Sequence, residues 1–134
     1  MQLSEAIPRL AWALNLPALV AAADGACAFA VQGVSVSLIP RRDAGAFICR
    51  AHLGALGRGH LDSQLEPLLA ANLFAMGVGG AVIGVDAQAR VFLTQHFQED
   101  GLEFAVLLRW LERFVQRAVA CRASLAAPSQ AGAT

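Results

Sequence analysis

The chain has 134 residues, enough for one domain around one core, and its hydrophobic fraction of 57% includes 28 alanines. Ten arginines balance ten acidic residues and there is no lysine, so neither a basic run nor an excess of charge points to nucleic acid. Cys27, Cys49 and Cys121 are odd in number and far apart, with no C-x-x-C pair. That argues against a disulfide framework or a zinc site and fits a reducing cytoplasm.

Leu3, Ile7, Leu10 and Leu14 recur at helical spacing, so residues 3–16 are expected to form an amphipathic helix. Ser4 can cap it, Pro8 lies early enough to be tolerated, and Pro17 helps to end it. At 100° per residue, Trp12 and Leu16 fall opposite the apolar stripe, beside Glu5 and Arg9. An exposed tryptophan with a leucine one turn later is a candidate protein-binding anchor. The competing reading is that the following loop, with Leu19 and Val20, covers both. The apolar run that closes on Ala26-Cys27-Ala28 has the outline of a secretion signal. It lacks a positive n-region, however, and Asn15 and Pro17 break it, so no such signal is expected.

After a turn at Asp24-Gly25, residues 27–32, 34–39 and 46–53 read as three strands of an antiparallel meander. Val34, Val36 and Leu38 alternate with Ser35, Ser37 and Ile39; Phe47, Cys49, Ala51 and Leu53 alternate with Ile48, Arg50 and His52. A loop leads to Ser63-x-x-Glu66, a capping box ahead of a second helix marked by Leu61, Leu65, Leu68, Leu69, Leu73 and Met76. Its other side, over Pro67, Ala70, Ala71 and Phe74, is also apolar, and a helix apolar on both sides needs burial on both. One side is expected to face the home core and the other a partner subunit. Ala70, Leu73 and Phe74, with strand residue Val82, are the expected dimer contacts; a deeper monomer core is the competing reading.

Gly77-Val78-Gly79-Gly80 lacks the context of a phosphate site, which needs a strand before the glycines and a helix after them. No Gly-Lys-Ser/Thr follows, so it is no P-loop either. Residues 67–85 carry no charge and approach membrane-spanning length, but the glycines, Asn72 and the missing basic and aromatic flanks oppose that reading. Gly77 reads as a helix C-cap.

Strands are expected at 81–85 and 90–97, then a last helix from about Glu99 to Arg122. Its buried stripe is Phe104, Leu107, Leu108, Leu111, Phe114, Val115 and Ala118, with acids at its start and arginines at its end. Residues 1–122 make up the expected domain, and residues 123–134, without periodicity, read as a disordered tail. The order α-β-β-β-α-β-β-α indicates an α+β fold, with helices packed on a largely antiparallel, twisted sheet.

Ile39, Ile48 and Phe92 share strand faces with Ser35, Ser37, Arg50, Thr94 and His96. They can receive apolar side chains of an extended peptide, while a sheet edge supplies main-chain hydrogen bonds. Alternatively a helix covers that face and all three are core. His52, His60 and His96 lack metal-ligand spacing. A dyad of Cys49 with His52 or His96 would need the thiol beside its base, but Cys49 alternates with the expected core face and His52 points the other way. Cys49 is read as structural, and no catalytic residue, metal or cofactor is expected.

In these elements the chain resembles the class I type III secretion chaperones, the family named for the Tir chaperone. The likeness covers residues 1 to about 122. It rests on "LNLPAL", the three-strand meander and "LEPLLAANLFAMGVGGAVIGVDAQARVFLTQHF", in which Leu68-Leu69-x-x-Asn72, a glycine-rich break, "IGVD" and a second strand follow in order. The resemblance implies a cytoplasmic homodimer of a Gram-negative bacterium, without enzymatic activity. It would bind the N-terminal chaperone-binding segment of an effector and hold it extended until handover to the secretion ATPase. Trp12, Leu16, Ile39, Ile48 and Phe92 are then the expected effector-binding residues. Members of this family are typically acidic; this chain is neutral, which bears on the electrostatic part of partner recognition and not on the apolar part. The alternative is a non-enzymatic adaptor or regulatory domain of the same fold, binding another secretion-system protein.

Overall fold

In the computed structural model, residues 1–56 and 80–126 are described. Helix α1 (Leu3–Ala13) leads to β1 (Cys27–Val31), β2 (Val34–Arg41), a 3-10 turn (Arg42–Ala44) and β3 (Ala46–Ala55). Then come β4 (Val82–Val85), β5 (Arg90–Gln98) and α2 (Phe104–Ala126). The helix expected over 61–76, the cap at Gly77 and the tail from 127 onward lie outside the described residues. A strand, not a helix, follows Gly80, as the reading against a phosphate loop requires. No helix among the described residues is long and apolar enough to cross a membrane.

The strands form one antiparallel sheet in the order β1-β2-β3-β5-β4. Alternation sorts their side chains as expected. Val34, Val36, Leu38, Phe47, Cys49, Ala51, Leu53, Val91, Leu93 and Phe97 join Leu3, Ile7 and Leu10 of α1 and Leu107, Leu111, Phe114 and Ala118 of α2 in one buried cluster. Phe47 and Phe97 are cross-strand partners whose rings stack with centroids 5.2 Å apart. Both described helices therefore cover the same face of the sheet.

Two backbone devices shape that sheet. Gln32 and Gly33 join β1 to β2 with φ of 51° and 79°, the two-residue turn whose twist matches the strands it connects. In β3 the register against β5 slips between His52 and Gly54, and Gly54 takes φ 139°, a conformation that favours glycine.

The helix ends depart from expectation. α1 stops at Ala13, not residue 16, because Asn15 turns left-handed (φ 56°). The Asn15 N–H donates to the Trp12 carbonyl at 3.2 Å and the Leu16 N–H to the Ala11 carbonyl at 2.8 Å, a closed left-handed cap. Ser4 is not the N-cap; Gln2 holds that position without a side-chain bond. Instead Glu99, from the turn after β5, reaches across to accept the Leu3 N–H at 2.7 Å, placing a carboxylate where the helix dipole favours one. Glu99 thus does not begin α2. Gly101 (φ 73°) and a bond from the Leu102 N–H to the Glu99 carbonyl make a turn there. α2 starts at Phe104 and runs past Arg122 to Ala126.

Candidate partner-binding surfaces

Trp12 projects from α1 with 89% of its surface exposed. The loop expected to cover it does otherwise: Leu19 is buried in the core, while Val20 is 73% exposed and leaves the indole open. Pro8, Ala11, Asn15 and Pro17 frame a shallow depression with Trp12. Leu16, expected beside Trp12, is turned away from it by the left-handed cap and packs half-buried against the core. Helical spacing no longer applies past Ala13.

Ile39 and Ile48 are cross-strand partners, half-buried on the face opposite the helices. Phe92 occupies the same face and is paired with His52. Ile48 and His52 are four positions apart on β3, about 13 Å at 3.3 Å per residue, so Phe92 forms a separate cluster. Its ring lies 5.2 Å from that of His52, with the Arg50 guanidinium 5.1 Å away and that of Arg90 at 5.8 Å. Such cation–π contacts hold cationic groups over an apolar centre. Arg90 is aimed by the β4–β5 turn. Asp86 accepts the backbone N–H groups of Gln88 and Arg90, both at 2.9 Å, and the Arg90 Nε at 2.7 Å. The Arg90 backbone N–H is the main reason the Asp86 carboxyl titrates below the usual range.

The structure does not bring the five expected effector-binding residues together: Trp12 stands on the helical side and Ile39, Ile48 and Phe92 on the other. Of the expected dimer contacts, Val82 on β4 is 44% exposed; Ala70, Leu73 and Phe74 lie outside the described residues.

One surface was not anticipated. Between the end of α1, strand β1 and one flank of α2 runs a groove of about 310 Å³, lined mainly by Leu14, Phe29, Val31, Leu111 and Val115. β1 is an edge strand, paired only with β2 among the described residues. An apolar groove beside a free strand edge accepts an extended peptide through main-chain bonds and alternate side chains. The alternation of Cys27, Phe29 and Val31 was visible in the sequence; that β1 would lie at an edge, beside α2, was not.

The thiol reading does not assemble. Cys49 is buried on the helical face, while His52 and His96 are exposed on the other. Burial pushes the Cys49 thiol far above the usual range, with Cys27 adding to the effect.

The model of the Tir chaperone protein (CesT) family matches residues 5–122. Among curated proteins no sequence matches significantly. In fold the chain is similar to a chain of the ExsC–ExsE complex, with a TM-score of 0.76 and 18% identity over 93% of this chain and 97% of that one. A chain of the HopA1–SchA chaperone–effector complex gives 0.74 and 18%, covering 88% and 91%. A chain of the complex of the Yersinia pestis type III secretion chaperone SycH with a stable fragment of YscM2 gives 0.70 and 21%, covering 90% and 99%. At these identities the solved structures speak for the fold alone. The family match extends from α1 into α2 and so spans every strand of the sheet: the chain belongs to the Tir chaperone protein (CesT) family.

Proposed function

We propose that this protein is a type III secretion chaperone that binds the N-terminal chaperone-binding segment of an effector and keeps it soluble and extended for export. The observation that carries this reading is the apolar groove beside the free edge of β1, on a chain of this family. The mechanism is binding alone. The edge of β1 pairs with the segment's backbone, and Phe29, Val31 and Leu111 receive its apolar side chains. Trp12 anchors it further along α1, with Leu16 supporting the helix end, and Ile39, Ile48 and Phe92 offer a second apolar surface across the sheet. The functional unit is a cytoplasmic homodimer, joined through Ala70, Leu73, Phe74 and Val82, which passes its cargo to the secretion ATPase. No catalytic residue or cofactor takes part.

The test is co-expression of the tagged chaperone with effectors of the same organism. Stoichiometric co-purification of one effector, lost when its N-terminal segment is deleted and independent of nucleotide, is the expected result. Capture that survives the deletion would overturn the reading.

A further inference from the structure

The flank of α2 away from the β1 groove borders a second hollow, of about 620 Å³, reached past Gly80 and Ala81 at the start of β4. Its floor is Gln95 of β5, the one buried polar residue of the described core, 9% exposed. The Gln95 side chain has no hydrogen-bond partner among the described residues, and its amide keeps contact with the hollow instead of being sealed off. Its donor and acceptor are therefore open to a group bound in the hollow.

The rim supplies charge. Arg113 and Arg117 stand one turn apart on α2 and both line the hollow. The Arg113 guanidinium lies over the Trp110 ring, 5.7 Å from its centroid. Arg117 rests against Gly80, where an added Cβ would come within 2.8 Å of a guanidinium nitrogen. Among the described residues neither arginine has an ion-pair partner: the ion pairs there are Arg41–Asp43 and Arg90–Asp86. Among the described residues no acidic side chain lines the hollow, and Trp110 and Phe114 add apolar walls. Two guanidiniums without a carboxylate partner among the described residues, beside an accessible amide and aromatic rings, suit a carboxylate carried on an apolar neighbour.

We propose that this hollow is a carboxylate pocket that seats an acidic side chain of the bound effector segment, Arg113 and Arg117 donating to its oxygens and the Gln95 amide completing the contact. The assignment of the occupant to the effector rests on the function proposed above; the chemistry of the pocket does not.

The probe is an end-capped tetraglutamate peptide, with tetralysine as control, titrated into the ¹⁵N-labelled full chain at low salt. Tetraglutamate is expected to shift the Gln95 side-chain amide and the Trp110 indole signals saturably, while the Trp12 indole stays in place and tetralysine does nothing. Arg117→Gln is expected to weaken the binding roughly tenfold, as loss of one charge-assisted bond implies, and the Arg113→Gln/Arg117→Gln pair to abolish it. Both changes lie on the rim of α2, and an unchanged melting temperature confirms that they leave the fold intact. No shift at millimolar tetraglutamate, or equal shifts in the double variant, overturns the pocket. Movement of the same signals on dilution without peptide also overturns it, since a second copy of the chain would then fill the hollow. An effector still captured through Trp12 while tetraglutamate fails to bind sinks the pocket and leaves the chaperone reading standing.

Discussion

Replacing Trp12 with alanine is expected to separate partner binding from folding. The indole is 89% exposed and stands outside the buried cluster, so its removal should alter the stability of the free protein by no more than about 0.5 kcal/mol. Bound, it has nearly its whole surface to lose to a partner. A tryptophan buries roughly 150–250 Å², which at about 25 cal/mol per Å² gives a gross gain of about 4–6 kcal/mol. Immobilisation and imperfect fit consume part of that, and truncating an aromatic anchor typically costs about 2–4 kcal/mol. The affinity for an effector segment should therefore fall roughly 30- to 1,000-fold. Titration calorimetry at fixed salt measures this, with Trp12→Phe expected to recover most of the loss. The emission of Trp12 should also move to shorter wavelength on binding, read in a Trp110→Phe background. A dissociation constant within threefold of the parent, together with unchanged emission, would refute Trp12 as an anchor.

Glu99→Ala removes the carboxylate that accepts the Leu3 N–H; losing the cap and its favourable dipole interaction should cost about 1–2 kcal/mol. Urea unfolding at constant protein concentration measures it, and Glu99→Gln should retain about half; equal losses would show that charge contributes nothing. Asp86 is held ionised by the Arg90 and Gln88 N–H groups, its folded pKa lying below the unfolded one. Its stabilisation is thus complete above about pH 3.9, the unfolded value, and is lost as pH falls through the lower folded value. Asp86→Asn should flatten the acid limb of the stability–pH curve, and an unaltered limb would discount the turn. Cys121, half-buried on α2, should react with a thiol reagent before Cys27 and Cys49, which are buried. Equal rates at Cys49 and Cys121 would contradict the packing of β3 and reopen thiol chemistry.

The strands were legible because each is half-buried, so that period-two alternation in "VSVSLI" and "AFICRAHL" reports directly which face meets the helices. The helix ends were not, and the reason is long-range. Leu14 continues the apolar period of α1, yet the helix stops because Asn15 adopts a left-handed conformation that periodicity does not register. Glu99, Asp100 and Glu103 look like the acidic first turn of a last helix, but Glu99 serves the N-terminus of the first, ninety-six residues earlier. The same limit governs the sites. The exposure of Trp12 could be read because it follows from one local angle on a helix. The β1 groove could not, since it needs α1, β1 and α2 to meet, and neighbour order in the sheet follows from β5 pairing between β3 and β4.

Net charge conceals most of all. Ten arginines against ten acids sum to zero, but the sum says nothing about where they stand. Arg50 and Arg90 gather around Phe92 on one face of the sheet, and Arg113 and Arg117 around Gln95 on the other, while Glu99, Asp100 and Glu103 collect at the β5–α2 corner. Recognition acts over the few ångströms between a guanidinium and its ligand, well inside the screening length of about 8 Å at physiological salt. A neutral chain can therefore still present local fields of either sign. Each of these arginine pairs includes a guanidinium over an aromatic ring, Phe92 in one and Trp110 in the other, so a cation and an apolar surface stand side by side at both places.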